Sequence, residues 1–377
     1  MRELSLYLHI PFCVKKCDYC DFLSAPASLE VQEQYLRALY SEIRAKADDF
    51  SGYMVKTVFI GGGTPSILKP EQLCDLLKCV KESFRILPQA EITMEMNPGT
   101  GGGKEAFEQY KKAGINRLSI GLQSAKDEEL KVLGRIHNFS QFWTTYQEAR
   151  EAGFTNLNID IMSALPGQSV ESYRETMETV CALRPEHISA YSLIIEEGTP
   201  FFSRYASETW TEENEECDRL MYTLTKQLLE DYGYHRYEIS NYALSGRECR
   251  HNLVYWTGGE YLGLGLGASS FIDNIRYKNT SDLNTYLERK GNAPREDIQV
   301  LTISDRMEEF MFLGLRLTEG VRKVEFFHLF GRTMDDVYGD ILRKNQNDGL
   351  LVSTSQRVFL TSRGVDLSNY VLAQFLF

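Results

Sequence analysis

The stretch LSLYLHIPFCVKKCDYCDF (residues 4–22) runs a β-like segment directly into three thiols, Cys13, Cys17 and Cys20. Phe22 stands two positions beyond the last of them, where a fourth cysteine would complete a ligand set. Three cysteines at CxxxCxxC spacing can each hold one iron of a cubic [4Fe–4S] cluster, which leaves one iron without a protein ligand. That open position suits a small molecule that chelates through an amine and a carboxylate. Zinc is the alternative, because His9 lies four residues before Cys13 and would complete a Cys3His site. Zinc modules usually pair two short ligand clusters, and the chain has no second one, so the spacing favours the iron–sulfur reading. Cys74, Cys79, Cys181, Cys217 and Cys249 are scattered, and read as buried small hydrophobes or surface thiols.

Working outward from this loop, the strand-then-loop pattern recurs. KTVFIG (56–61), EITMEM (91–96), NRLSIGL (116–122), NLNIDIM (156–162) and HISAYSL (187–193) all read as strands. Helical segments separate them, over 30–45, from Pro70 onward, and over 104–113, 141–152 and 169–183. In the first, Val31, Tyr35, Leu39 and Ile43 recur four apart, and Pro70 suits the first position of a helix. Six successive βα units imply a parallel sheet with right-handed crossovers. Polar or glycine-rich features close the runs: CVKKC, GGGTPS, EMNP, GLQS and DIMSALPG. Their convergence on one mouth favours a partial (βα)6 TIM-like barrel, of the α/β class, over an open doubly wound sheet.

After about Gly198 the alternation breaks. A long helix is expected over 213–232, its solvated start formed by the acidic run TEENEECDR (211–219), and a short strand RYEIS (236–240) follows. HNLVYWTGGEYLGLGLGASSF (251–271) reads as irregular and glycine-rich. The C-terminal helices and the hairpin GLLVSTSQRVFLTSRG (349–364) suggest a winged-helix-like α+β unit. The expected division is a barrel core over 1–200, a barrel extension over 201–300 and this C-terminal domain over 301–377.

The net charge of −12 argues against nucleic-acid binding, so the C-terminal unit reads as a lid or packing domain. No apolar run approaches the roughly 18 residues needed to span a bilayer. The N-terminus has neither a basic segment with a long apolar core nor a small-residue cleavage site, so a cytoplasmic location is expected.

The CxxxCxxC loop after the first strand, with Tyr19 just before its third cysteine, resembles the radical S-adenosylmethionine (SAM) superfamily. YLHIPFC, GGGTPS, EMNP, RLSIGLQS, LGRIH and NIDIMSALPGQ resemble, in order, the motifs of oxygen-independent coproporphyrinogen III oxidases and their relatives. The resemblance implies that Cys13, Cys17 and Cys20 hold a [4Fe–4S] cluster whose open iron binds SAM. An electron donor working through the cluster would then split the sulfonium to methionine and a 5′-deoxyadenosyl radical. By the same resemblance Tyr7 lies beside the SAM–cluster unit, and Gly62, Gly63 and Thr64 bind the methionyl end through backbone groups. Glu95 meets the amine or ribose, and Gln123, Arg135 and Asp160 complete the polar contacts. Singly, each has a plainer reading: a tight turn, a surface cation, a satisfied polar group or a cap. Their joint order along the strands favours the SAM site. His137 and Glu91 read as structural.

Two branches of this family differ in function. The oxidases carry CxxxCxxCxC and a long N-terminal extension. Here Phe22 replaces the extra cysteine and six residues precede Tyr7, so coproporphyrinogen III dehydrogenase activity is the rival reading. RHNLVYW (250–256) matches the HNxxYW motif of the HemW-type haem chaperones. That resemblance implies haem as cargo and haem-requiring acceptors, notably membrane-bound respiratory enzymes. It also implies His251 as iron ligand, with Tyr255 and Trp256 as flat surface and Asn252 orienting the ring. Cys249 is a candidate second ligand. The sequence does not decide between a monomer and a homodimer.

Overall fold

The computed structural model describes residues 2–205, 212–292 and 294–376. Six strands in sequence order form the centre of its main sheet: β1 (Arg2–Ile10), β2 (Tyr53–Gly62), β3 (Ile86–Met96), β4 (Arg117–Gln123), β5 (Leu157–Ser163) and β6 (His187–Ser192). Each runs parallel to the next. The connecting helices include Leu29–Ala47, Pro70–Ser83, Gly103–Ala113, Phe139–Glu151 and Val170–Leu183. The expected radical SAM-type α/β architecture is therefore present.

The strands alternate, and the two faces of the sheet differ in kind. Leu4, Leu6, Leu8, Val58, Ile60, Ile92, Met94, Leu118, Ile120, Ile159 and Ile188 belong to one hydrophobic core, together with side chains of the connecting helices. The intervening positions are polar: Ser5 and Thr57, then Glu91 and Thr93, Arg117 and Ser119, Asn158 and His187, all buried. Several of them satisfy one another, although Thr93 Oγ1 and Arg117 Nε have no hydrogen-bond partner. Asn158 donates to Ser119 Oγ (2.7 Å) and its carbonyl oxygen meets His187 Nδ1 (2.6 Å), whose Nε2 meets the Tyr237 hydroxyl (2.8 Å). A fully apolar interior would leave nothing to orient a polar ligand at the strand ends.

The sheet continues past both edges of this centre, to twelve strands among the described residues. On one side lie β7 (His235–Arg236) and β8 (Asn241–Ala243), with β8 antiparallel to β6. The strand expected over 236–240 is thus broken by a turn. The buried Glu238 carboxylate accepts from Ser240 N (3.0 Å) and holds that turn. On the other side β9 (Tyr261–Leu264) pairs parallel with β1, and β10 (Ser269–Ile272), β11 (Ile275–Asn279) and β12 (Arg295–Val300) follow antiparallel. The stretch expected to be irregular is therefore ordered, as a helix (Arg250–Trp256) leading into β9 and β10. The acidic run opens the helix Glu212–Asp231, and its first residue, Thr211, lies outside the described residues.

Met307, Met311, Leu315, Phe326, Tyr338, Leu342, Val358 and Val371 form a second core. It lies among the helices Ile303–Gly314, Lys323–Phe330 and Met334–Asn347 and a three-stranded wing of Val321–Arg322, Leu351–Ser353 and Arg357–Leu360. This unit is fastened to the sheet by Thr318 N donating to Tyr237 O (3.0 Å) and by a bidentate Arg276–Glu309 ion pair. No helix among the described residues is long and apolar enough to cross a membrane.

Candidate functional site

The three-thiol loop leaves the end of β1 and is pinched shut by Cys13 N donating to Ala25 O (3.3 Å) and Ala25 N to Pro11 O (3.0 Å). Asp18 anchors its middle, its N–H on Leu133 O (3.2 Å) and its carboxylate on Arg204 (2.7 Å). Arg135 reaches in with Nη1 3.5 Å from Cys17 Sγ and 3.4 Å from the Tyr19 hydroxyl, while Nη2 donates to Asn97 Oδ1 (2.7 Å). Burial raises the Cys13 and Cys20 thiols above their ordinary range, so a bound metal must displace their protons. Among the described residues no three His, Cys, Asp or Glu side chains form a group that could hold a single metal ion. A zinc ion needs its ligands around one point. A cubic cluster instead takes each thiolate on a different corner.

His9 tightens that distinction. Its Nε2 lies 2.8 Å from Leu23 O, which can only accept, so Nε2 carries the proton. Nδ1 then accepts from the Tyr7 hydroxyl at 3.0 Å. Both nitrogens are engaged, so His9 is not free to complete a Cys3His zinc site. Three thiols, a guanidinium beside one of them and no fourth ligand fit a cluster with an open corner.

The glycine turn lies alongside. A Cβ on Gly63 would stand 2.5 Å from Phe12 O, and one on Gly62, whose φ is +109°, would enter the His9 ring. Glycine is therefore required at both positions. The N–H groups of the turn are already engaged: Gly62 with Glu95 Oε2 (3.0 Å), Gly63 with Ile10 O (2.8 Å) and Thr64 with Phe12 O (2.7 Å). They are thus not available to a ligand as donors. Burial, with the charge of Asp160 behind it, pushes Glu95 up to about 7 against the Gly62 hydrogen bond. Burial likewise raises Asp160, which accepts from Asn158 Nδ2 (2.7 Å). Gln123 ends β4 in the left-handed region (φ 72°), its Oε1 accepting from the Tyr191 hydroxyl at 3.2 Å. A non-glycine residue held so marks a constrained strand end, as functional sites often show. His137 is buried, with Nε2 3.3 Å from Leu122 O.

His251 and Tyr255, four apart on the helix Arg250–Trp256, share one face. Thr57 Oγ1 donates to Ser5 Oγ (2.7 Å), so it accepts from His251 Nδ1 (2.8 Å). That leaves His251 Nε2 as the lone-pair nitrogen, and it accepts from the Tyr255 hydroxyl at 2.9 Å. The ring is 1% exposed, and burial, with Arg117 nearby, lowers its pKa to about 3, so it is neutral. A neutral imidazole with its second nitrogen fixed by a hydrogen bond is the form that ligates iron. Glu91, at the centre of β3, caps the helix: its carboxylate accepts from Arg250 N and His251 N, both at 3.1 Å, and from Cys249 Sγ at 3.6 Å. Burial pushes the Cys249 thiol up to about 12, so it is a protonated donor here. Glu91 is structural, as expected, yet it organises the motif from 160 positions away, which local sequence could not show. Trp256 does not share the His251 face. Arg316 of the C-terminal unit lies over its ring at 4.6 Å.

A cavity of about 380 Å³ joins these parts. Phe22, Leu23, Gly62 and Glu95 line one side, and Tyr255 and Tyr261 the other. Phe22, 61% exposed, thus faces the same space as Tyr255. The buried Glu42 carboxylate holds the rim loop by accepting from Gly265 N (2.9 Å), Asn279 Nδ2 (2.7 Å) and the Tyr286 hydroxyl (2.7 Å).

Residues 7–180 match the family model of the radical SAM superfamily, and residues 301–367 that of the HemN C-terminal domain. The chain is 36% identical over 376 residues to the haem chaperone HemW of Bacillus subtilis, covering 99% of each. It is also 36% identical over 382 residues to HemW of Escherichia coli, covering 100% of this chain and 99% of that one. Among solved structures, coproporphyrinogen III oxidase (HemN) from E. coli superimposes with a TM-score of 0.85 at 25% identity, over 99% of this chain and 90% of that one. Full-length identity at this level places the chain in the HemW family of haem chaperones within the radical SAM superfamily.

Proposed function

We infer that this chain is a haem chaperone whose cargo enters the cavity between Phe22 and Tyr255, with His251 Nε2 as iron ligand. The observation that carries this is the His251 tautomer: its lone-pair nitrogen points at a single hydroxyl, that of Tyr255, on the cavity wall. Breaking that hydrogen bond and swinging the Tyr255 side chain aside would open the nitrogen to iron. Against Cys249 as second ligand stands its position: the thiol donates to Glu91 and does not line the cavity.

Cys13, Cys17 and Cys20 would hold a [4Fe–4S] cluster with SAM at its open corner. Bound together, these supply one-electron reduction and a carbon radical. The chain's own part is positioning. Arg135 sets a positive charge against Cys17. Glu95, raised by burial to about 7, stands beside the turn where the SAM amine would lie. With their N–H groups engaged, Gly62, Gly63 and Thr64 would meet that amine through carbonyl oxygens. Tyr7, Gln123 and Asp160 hold the strand ends behind it. Haem would pass to a haem-requiring acceptor, by family resemblance a membrane-bound respiratory enzyme, with a separate electron donor serving the cluster.

The test is titration of haem into anaerobically reconstituted protein, comparing the wild type with His251→Ala. The substitution is expected to shift the Soret band and remove the tight stoichiometric phase. An unchanged spectrum and stoichiometry remove His251 as ligand. Catalytic conversion of coproporphyrinogen III to protoporphyrinogen under reducing conditions would overturn the chaperone reading in favour of the dehydrogenase.

A further inference from the structure

Tyr255 and Tyr261 also line a second cavity of about 240 Å³, together with Phe271, Arg276, Glu309 and Phe312. The two tyrosines line both cavities and meet edge to face, ring centres 4.8 Å apart. The aromatic side chains Phe22, Tyr255, Tyr261 and Phe271 thus lead from the first cavity to Arg276. Arg276 is the one cationic side chain lining either cavity among the described residues.

Arg276 lies on β11 directly opposite Phe271 of β10, with its guanidinium 5.5 Å from that ring's centre. Its charge is currently answered by Glu309 of the helix Ile303–Gly314, through two bonds of 2.6 and 3.1 Å. Both partners are partly exposed, so the pair is reachable from the cavity. A planar guanidinium in this fork geometry is suited to one carboxylate at a time. Haem presents an apolar macrocycle with carboxylates along one edge, which matches aromatic walls ending in a single guanidinium.

We propose that Arg276 is the propionate-binding residue of the haem site, and that Glu309 is an internal carboxylate displaced when haem docks. This rests on the haem-chaperone reading. Displacement exchanges one carboxylate for another on Arg276 and releases Glu309 to solvent, so the C-terminal unit loses a tie to the sheet as cargo is loaded.

The test compares haem with its dimethyl ester, both presented from the same detergent micelles and followed at the Soret band. The wild type is expected to prefer the free acid by about tenfold, the scale of one charge-assisted bidentate contact after competition. Arg276→Gln should abolish that preference without changing ester affinity. Glu309→Gln should tighten haem binding several-fold and leave the ester unaffected. The double variant Arg276→Gln with Glu309→Gln keeps a neutral hydrogen-bonding pair at the junction, and should also show no preference should a single variant fail to fold. Persistence of the free-acid preference in the folded Arg276→Gln or double variant overturns the proposal. So does haem affinity that is unchanged by Glu309→Gln. A wild type that binds neither compound stoichiometrically overturns the haem reading itself, whereas equal binding of both compounds overturns only the propionate site.

Discussion

Tyr255→Phe separates two roles that one hydroxyl now combines. The Tyr255 O–H group stabilises the folded chain by its hydrogen bond to His251 Nε2, and the same bond blocks the nitrogen that would take iron. A buried hydrogen bond of this kind contributes about 1 kcal/mol net, within a range of roughly 0.5–1.5. Phenylalanine keeps the ring and its edge-to-face contacts with His251 and Tyr261, so little else changes. The variant should therefore lose about 1 kcal/mol in urea denaturation. It should bind haem about fivefold more tightly, because the competing bond no longer has to break. In the His251→Ala background the same substitution should leave haem affinity unchanged, since there is no ligand to uncover. Equilibrium titration at the Soret band with all four proteins gives the cycle directly. If Tyr255→Phe weakens haem binding while lowering stability as expected, the hydroxyl is a contact to the cargo and not a cover on the ligand, and the reasoning fails.

Glu91→Ala should cost about 3 kcal/mol in the same denaturation assay and abolish tight haem binding, because the helix loses its cap and the buried Arg117 loses one of its neighbouring negative charges. Gly63→Ala should lower the iron and sulfide content of reconstituted protein sharply while leaving far-UV circular dichroism near wild type, since its Cβ meets Phe12 O at 2.5 Å and displaces the root of the thiol loop. His251, lowered to about 3 from 6.5, binds fewer protons folded than unfolded, so its share of stability is complete above about pH 6.5 and is lost as pH falls toward 3. Haem affinity should accordingly show no titration from this ring between about pH 5 and 8. Glu42, raised to about 7 from 4.5, acts in the opposite sense: its share is complete below pH 4.5 and is lost as pH rises through 7, which pH-dependent denaturation of the wild type would resolve.

Much of this was legible in the chain. The six central strands follow from short β-favouring runs between helical patterns, and the polar features at their ends lie where a barrel mouth gathers them. The buried polar face of the sheet was not foreseen, and the structure shows Asn158, His187 and Tyr237 satisfying one another there. What the sequence concealed is non-local. HNLVYW has glycines after it and no strong N-cap before it, so it read as loop. Its cap is Glu91, delivered by a strand 160 positions earlier. Trp256 was expected as porphyrin surface because it closes the HNxxYW motif. On a helix, however, adjacent residues face about 100° apart, and Trp256 meets Arg316 instead. Parallel pairing of β9 with β1 likewise joins segments more than 250 residues apart, which no periodicity within either can reveal.

The shortness of the helix Arg250–Trp256 has a consequence for how the protein matures. Seven residues cannot hold a helix in water by themselves, since an isolated turn is costly to nucleate and there is too little length to offset it. The helix exists because Glu91 and Thr57, on strands made far earlier in synthesis, are already in place to receive it. The nascent or unfolded chain therefore lacks the fixed imidazole tautomer that His251 has in the finished sheet. Haem competence arrives with the fold, and a peptide spanning HNLVYW would not inherit it.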